Sequence, residues 1–259
     1  MRTAFAAAIV IGAVLAGPVA AIPPPDLPIA ERAAVAAVLD GDTIVLKGGR
    51  VVRLAAIMAP KQGKAPTARR DALAAASRDA LSTLVLGRIV GLAPVAATPD
   101  RYGRMRAHVV GEDGGWIQAA LVARGFARVA TTPDARAGAA PLLTIEAQAR
   151  AARRGLWAHR AFRIVPAEAA SRAVGSFQIV EGRVRSAERR GGRVWLNFGT
   201  DWREDFSVLI APSPRRLFLE AGLDPAGLAG TMIRVRGWIA SRNGPLIEAT
   251  HPEQIEVIE

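Results

Sequence analysis

Residues 38–54, VLDGDTIVLKGGRVVRL, decide the fold class of this chain. Alternating apolar runs at Ala33 to Leu39, Thr43 to Leu46 and Val51 to Ile57 are separated by Asp40-Gly41-Asp42 and Lys47-Gly48-Gly49. Period-two runs broken by Asp-Gly and Gly-Gly predict strands of an antiparallel meander. Over residues 67–84 the period changes: Leu73, Ala76, Ala80, Leu81 and Leu84 recur at helical spacing, with Arg69, Arg70, Asp71 and Arg78 on other faces, which predicts an amphipathic helix. Strands are expected at Ile89 to Leu92 and Met105 to Val110. A short helix is expected from Trp116 to Arg124, stopping at Gly125. A last helix, Pro141 to Arg154, ends at Gly155-Leu156-Trp157 with arginines in its final turn, where the macrodipole favours them. Strands, helix, strands and helices make an α+β unit closing near residue 160.

Residues 161–175 read as an Ala-rich linker, after which the strand pattern restarts. Strands are expected at Phe177 to Arg185, Arg193 to Phe198, Phe206 to Ala211, Met232 to Ala240, Pro245 to Glu248 and Gln254 to Ile258, with a short helix at Pro214 to Ala221. That order suggests a second, small five-stranded barrel of the oligonucleotide/oligosaccharide-binding type over residues 176–259.

The opening, MRTAFAAAIVIGAVLAGPVAA, places one arginine before an apolar run and ends in small residues, which reads as an export signal cut near Ala21. A Pro-rich lead, residues 22–32, follows. No other stretch is apolar enough to span a bilayer, so the expectation is a secreted or periplasmic chain with no stable membrane insertion after cleavage. The absence of cysteine excludes disulfides, thiolate metal sites and the lipid attachment of a lipoprotein signal. Charge is uneven: residues 22–170 hold 21 basic and 12 acidic residues, whereas residues 171–259 hold 12 and 11. The field that draws a polyanion therefore belongs to the first block.

Several words in that block occur in a fixed order: Leu39-Asp40-Gly41-Asp42-Thr43, Val52-Arg53-Leu54 leading to Ala59-Pro60, Asp100-Arg101-Tyr102-Gly103-Arg104, Ala119 to Ala127, and Ile145-Glu146-Ala147-Gln148-Ala149 with Gly155-Leu156-Trp157. Over about residues 33–158 the chain thereby resembles the staphylococcal-nuclease-like, or thermonuclease, family. The resemblance implies a five-stranded oligonucleotide-binding-type barrel with three helices, mainly β with α+β character, and calcium-dependent hydrolysis of DNA and RNA phosphodiesters. It makes Asp42 a metal ligand and Arg53 and Arg104 phosphate-contacting groups, with Arg101 and Tyr102 in the same turn as Arg104; the solvated run Lys61-Gln62-Gly63-Lys64, beside the site, can touch a nucleic-acid backbone. At the family's second calcium-binding carboxylate the chain has Met58, at the water-activating glutamate Lys61, and at the intervening threonine Ala59. Thr131 falls where the family can place a tyrosine near the base.

A thioether is a soft, neutral ligand that suits calcium poorly. Lysine is a cation at neutral pH and neither binds a metal nor takes a proton readily. The expectation is therefore a nucleic-acid- or polyanion-binding protein in which Ca²⁺ is weakly held or absent and nuclease activity is weak or lost. Two rivals stand beside it. One is an active metal-dependent phosphodiesterase whose site is rearranged around Asp42 and a carboxylate such as Asp40 or Glu112. The other is a non-enzymatic envelope interaction module. His108, His159 and His251 are too scattered for a metal motif. In the second half, Trp195, Phe198, Trp202, Phe206 and Trp238 alternate with Arg193, Arg203, Arg234 and Arg236, a pattern that fits a barrel core bearing surface arginines more readily than a binding face.

Overall fold

The computed structural model describes residues 22–62, 68–201 and 203–258. The expected export signal, Gly63 and Lys64, the start of the first helix at Thr67, and Trp202 lie outside the described residues. The first half runs β1 (Glu31–Asp40), β2 (Thr43–Leu46), β3 (Val51–Leu54), β4 (Ile57–Met58), α1 (Ala68–Val85), β5 (Ile89–Pro94), β6 (Met105–Val110), α2 (Ile117–Ala123), β7 (Arg128–Val129) and α3 (Ala139–Ala151). Strands β1, β2, β3, β6 and β5 close into a barrel in that order. All neighbours are antiparallel except β3 and β6. Register shifts at Val35/Ala37 and Val38/Asp40 bend the ten-residue β1 so that it pairs with both β2 and β5 and closes the ring.

Alternation works as the sequence requires. Val52 and Leu54 point into the barrel with Ile44, Leu46, Leu92 and Val109, all fully buried, while Arg53 between them faces outward. Each such side chain contributes roughly 1.5–3 kcal/mol when taken from water. Helix α1 forms where the spacing predicts it, but its buried stripe is Ala74, Ser77, Leu81 and Val85, centred about one residue from the expected one. The cause is Ser77, a polar residue buried because its hydroxyl donates to the Phe126 carbonyl at 2.8 Å.

The second half departs from expectation. It runs β8 (Val165–Pro166), β9 (Phe177–Arg183), β10 (Ser186–Arg190), β11 (Arg193–Asn197), β12 (Ser207–Ile210), α4 (Pro212–Glu220), β13 (Met232–Trp238), β14 (Ala240–Ser241), β15 (Pro245–Glu248) and β16 (Ile255–Val257). Among the described residues these strands pair as two sheets, β10-β11-β12-β15-β14 and β16-β13-β9-β8, where a second closed five-strand ring was expected. The stretch expected as a linker is part of this half. Val165 and Pro166 pair with Val180 and Glu181 at one edge of the smaller sheet, while Ala167 and Ala170 bury in the second core beside Leu196, Phe206 and Phe218.

The two halves are tied by polar groups. Arg236, read from sequence as a surface basic residue, is 2% exposed. Its guanidinium donates to the Val129 carbonyl at 3.1 Å, to Glu146 of α3 at 2.8 Å, and to Glu256. Arg136 forks onto Glu253 at 2.9 Å to each oxygen, and the Thr131 hydroxyl meets His251 Nε2 at 2.7 Å.

His251 and His108 are buried, and desolvation of the imidazolium pushes both down to about 4. The unfolded chain takes up these protons near pH 6.5 and the folded chain only near pH 4. Between those values the unfolded state binds more protons, so the stabilisation is complete above about pH 6.5 and is lost as pH falls toward 4. Thermal melts are expected to be flat just above pH 7 and to fall steadily from pH 6.5 to 4, by roughly 1–3 kcal/mol per imidazole. His251→Asn should reduce that slope. Melts independent of pH across the window would show that both imidazoles charge freely in the fold.

Candidate nucleic-acid interface

The site begins at the turn between β1 and β2. Gly41 stands there because nothing larger fits: a Cβ would lie 2.6 Å from Ser77 Cβ and 2.7 Å from Ala59 Cβ. That close approach seats Asp42 between α1 and the segment after β4 and buries its carboxylate completely. One oxygen of Asp42 accepts from the Ala59 backbone N–H at 2.7 Å. The other accepts from the Thr43 hydroxyl at 3.2 Å, meets Arg53 at 2.9 Å, and holds the Lys61 ammonium. Lys61 also pairs with Asp40 at 2.6 Å, and Asp40 accepts from the Asp42 backbone N–H at 3.0 Å. One ammonium therefore bridges two carboxylates.

Burial pushes the Asp42 carboxyl up, against the pull of Arg53 and Lys61. Burial would raise Asp40 too, but the hydrogen bonds from Asp42 and Lys61, with the ammonium's charge, outweigh it and hold Asp40 at about 2.

This donor set does not fit calcium. Calcium asks for about 6–8 oxygens, and here both Asp42 oxygens already face nitrogen donors while the neighbouring carboxylate, Asp40, shares the same ammonium. Among the described residues no group of three His, Asp or Glu is placed to hold a metal. Glu112, the other carboxylate weighed from sequence, lies at the far end of β6 and accepts from the Ile89 backbone N–H at 3.3 Å.

The expected phosphate clamp is present but already engaged. Parallel pairing of β3 and β6 sets Arg53 opposite Arg106, and Arg104 lies two residues before Arg106 on the same outward face. Arg53 faces Asp42 and reaches the Ile57 carbonyl at 3.4 Å. Arg104 is gripped by Asp100, whose carboxylate accepts its Nε–H at 2.9 Å and its backbone N–H at 3.0 Å. Arg104 and Arg101 both stack on Tyr102, at 4.9 and 4.8 Å, and the Tyr102 ring is 65% exposed.

Sequence reading missed Arg106, which alternation from Arg104 could have signalled. It pairs with Asp134, and that hydrogen bond pulls Asp134 down to about 2. It missed as well that Asp100 would neutralise Arg104 across its own turn. Against Arg53, Lys61, Arg101, Arg104 and Arg106 thus stand Asp40, Asp42, Asp100 and Asp134. The net field of the cluster is much weaker than a bare count of its arginines implies.

Met58, which stands at the family's second calcium-binding carboxylate, is half-buried on the wall of a cleft of about 270 Å³. Lys61, Arg128, Phe162, Phe177 and Trp238 share that wall. Arg128 lies 5.1 Å from each of the Phe162 and Phe177 rings, and Trp238 stands edge-on to Phe177 and 60% exposed. The second half therefore reaches this side of the barrel. It also occupies the neighbourhood of Thr131, whose hydroxyl is spent on His251.

Residues 51–159 match the family described as staphylococcal nuclease homologue. No curated protein matches the chain. The match starts at β3, and the closed ring extends it backward through β1 and β2, which carry Asp40 and Asp42. Residues 51–159 of this chain form a staphylococcal-nuclease-like domain.

Proposed function

We propose that this chain is an exported protein that binds nucleic acid or a related polyanion on a staphylococcal-nuclease-like scaffold, with nuclease chemistry weak or absent. The observation that carries the reading is the Lys61 ammonium seated on both Asp40 and Asp42. A tethered cation holds the position that a divalent ion would need, it cannot polarise a phosphoryl group as a metal does, and its residue stands where a water-activating carboxylate is required. Phosphate binding survives better, because guanidinium groups paired on one side keep N–H donors for an anion on the other. Export rests on the N-terminal apolar segment and its small-residue end.

The test mixes the purified mature chain with labelled single-stranded DNA in calcium. The expected result is bound, uncut DNA, with affinity falling as salt rises because each phosphate contact releases a counterion. Cleavage at enzymatic rates that chelator abolishes would overturn the reading and favour a working metal-dependent phosphodiesterase. One observation supports that second reading: Asp40 lies close enough to Asp42 to share a partner, so loss of the ammonium would leave two adjacent carboxylates.

A further inference from the structure

Arg53, Arg104 and Arg106 of the first site are met by carboxylates, whereas a cluster on the second half is not. β10 and β11 form a hairpin whose tip, Gly191-Gly192, takes positive φ at both residues. Register sets Glu188 opposite Trp195 and Arg190 opposite Arg193, and alternation puts Val194 and Leu196 in the core, so Arg190, Arg193 and Trp195 share the outer face. At the other end of the same sheet, the β14–β15 turn also takes positive φ at Asn243 and Gly244 and projects Arg242. The sheet curls until that turn and the first hairpin line one cleft of about 400 Å³.

Arg190, Arg193 and Arg242 are exposed, and among the described residues none of the three meets a carboxylate. The one acid on this wall, Glu188, is engaged by Ser186 and Asn197. Trp195 is half-buried at its centre, stacked on no other ring among the described residues.

We infer that this cleft is a second binding site, for single-stranded nucleic acid: a base stacks on Trp195 while Arg190, Arg193 and Arg242 take the flanking phosphates. Three unpaired guanidiniums fit a chain of phosphates, and a free indole face between them fits a base. Glycine-set turns at both ends fix the spacing of the cationic groups. The site shares its ligand class with the first half but does not rest on that domain's reading.

The test uses the full mature chain, a labelled single-stranded oligonucleotide and, separately, inorganic polyphosphate, which has charge and no bases. Arg193→Gln with Arg242→Gln is expected to weaken both ligands about tenfold and to reduce the salt slope by about 0.7 per guanidinium removed. Trp195→Ala is expected to weaken the oligonucleotide about tenfold and leave polyphosphate unchanged, with Trp195→Phe restoring most of the loss. Because Trp195 sits over a packed sheet, each variant is melted alongside the parent, and the contrast between phenylalanine and alanine separates stacking from misfolding. Oligonucleotide affinity unchanged in both variants would overturn the inference, as would an equal loss for both ligands in Trp195→Ala. An oligonucleotide whose binding is lost through Arg53→Gln alone would also overturn it, while leaving the first-half reading intact.

Discussion

Met58→Asp combined with Lys61→Glu is expected to give this chain calcium-dependent cleavage of single-stranded DNA, about 10²-fold or more above the parent. Two obstacles are removed together. The ammonium leaves Asp40 and Asp42, and carboxylates enter the cleft wall that Met58 and Lys61 share. General-base help alone is worth about 10²- to 10⁴-fold, and a bound metal lowers the barrier by several kcal/mol more. A second measurement is independent of rate. Without calcium the variant gathers like charges around buried Asp42 and should melt below the parent. With calcium at about a hundred times its dissociation constant it should regain about 2.7 kcal/mol, while the parent does not respond. If calcium raised the parent's melting temperature equally, the ammonium would not be what excludes the ion. A variant that neither bound calcium nor cut DNA would show that the defect extends beyond these two positions.

The sequence disclosed the first half in proportion to how local its signals are. Asp40-Gly41-Asp42 and Lys47-Gly48-Gly49 specify turns from within themselves, and Val52-Arg53-Leu54 specifies its own inward and outward faces. β7 escaped because two residues carry no period, and the run read as Val51 to Ile57 breaks after Leu54, where Ala56 takes positive φ before β4. Ser77 escaped because its burial depends on a carbonyl 49 residues away. The site divides the same way. That Met58 and Lys61 break a metal-binding pattern was legible by residue type. That Lys61 would fill the gap by bridging Asp40 and Asp42 was not, since it depends on a turn and a loop brought together by Gly41 packing on Ala59. In the second half, alternating arginines on β13 suggested a solvated face, but Arg236 turns toward α3, and its partner Glu146 is 90 residues distant. No pattern local to β13 signals a buried cation whose acid lies on α3.

That buried cation supports the second large expectation: Arg236→Met should lower the unfolding free energy by about 3–5 kcal/mol. The loss comes less from the missing attraction than from what is left behind. Glu146 is fully buried and would keep only the Val129 backbone N–H, at 2.7 Å, and Arg150 at 3.6 Å. Glu256 would lose its nearest guanidinium, keeping Arg150 at 3.8 Å and Arg234 at 4.0 Å, and the Val129 carbonyl would lose a donor. For a chain of this size the corresponding fall in melting temperature is roughly 6–20 °C. Glu146→Gln added to Arg236→Met removes the stranded charge and should recover a substantial part of the loss, because neutral pairs of similar volume replace buried ion pairs at little cost. The readout that a generic packing defect would not reproduce is this recovery. A double variant as unstable as the sum of its singles would show that Arg236 acts through volume alone. A single variant melting with the parent would show that the two halves do not depend on this contact.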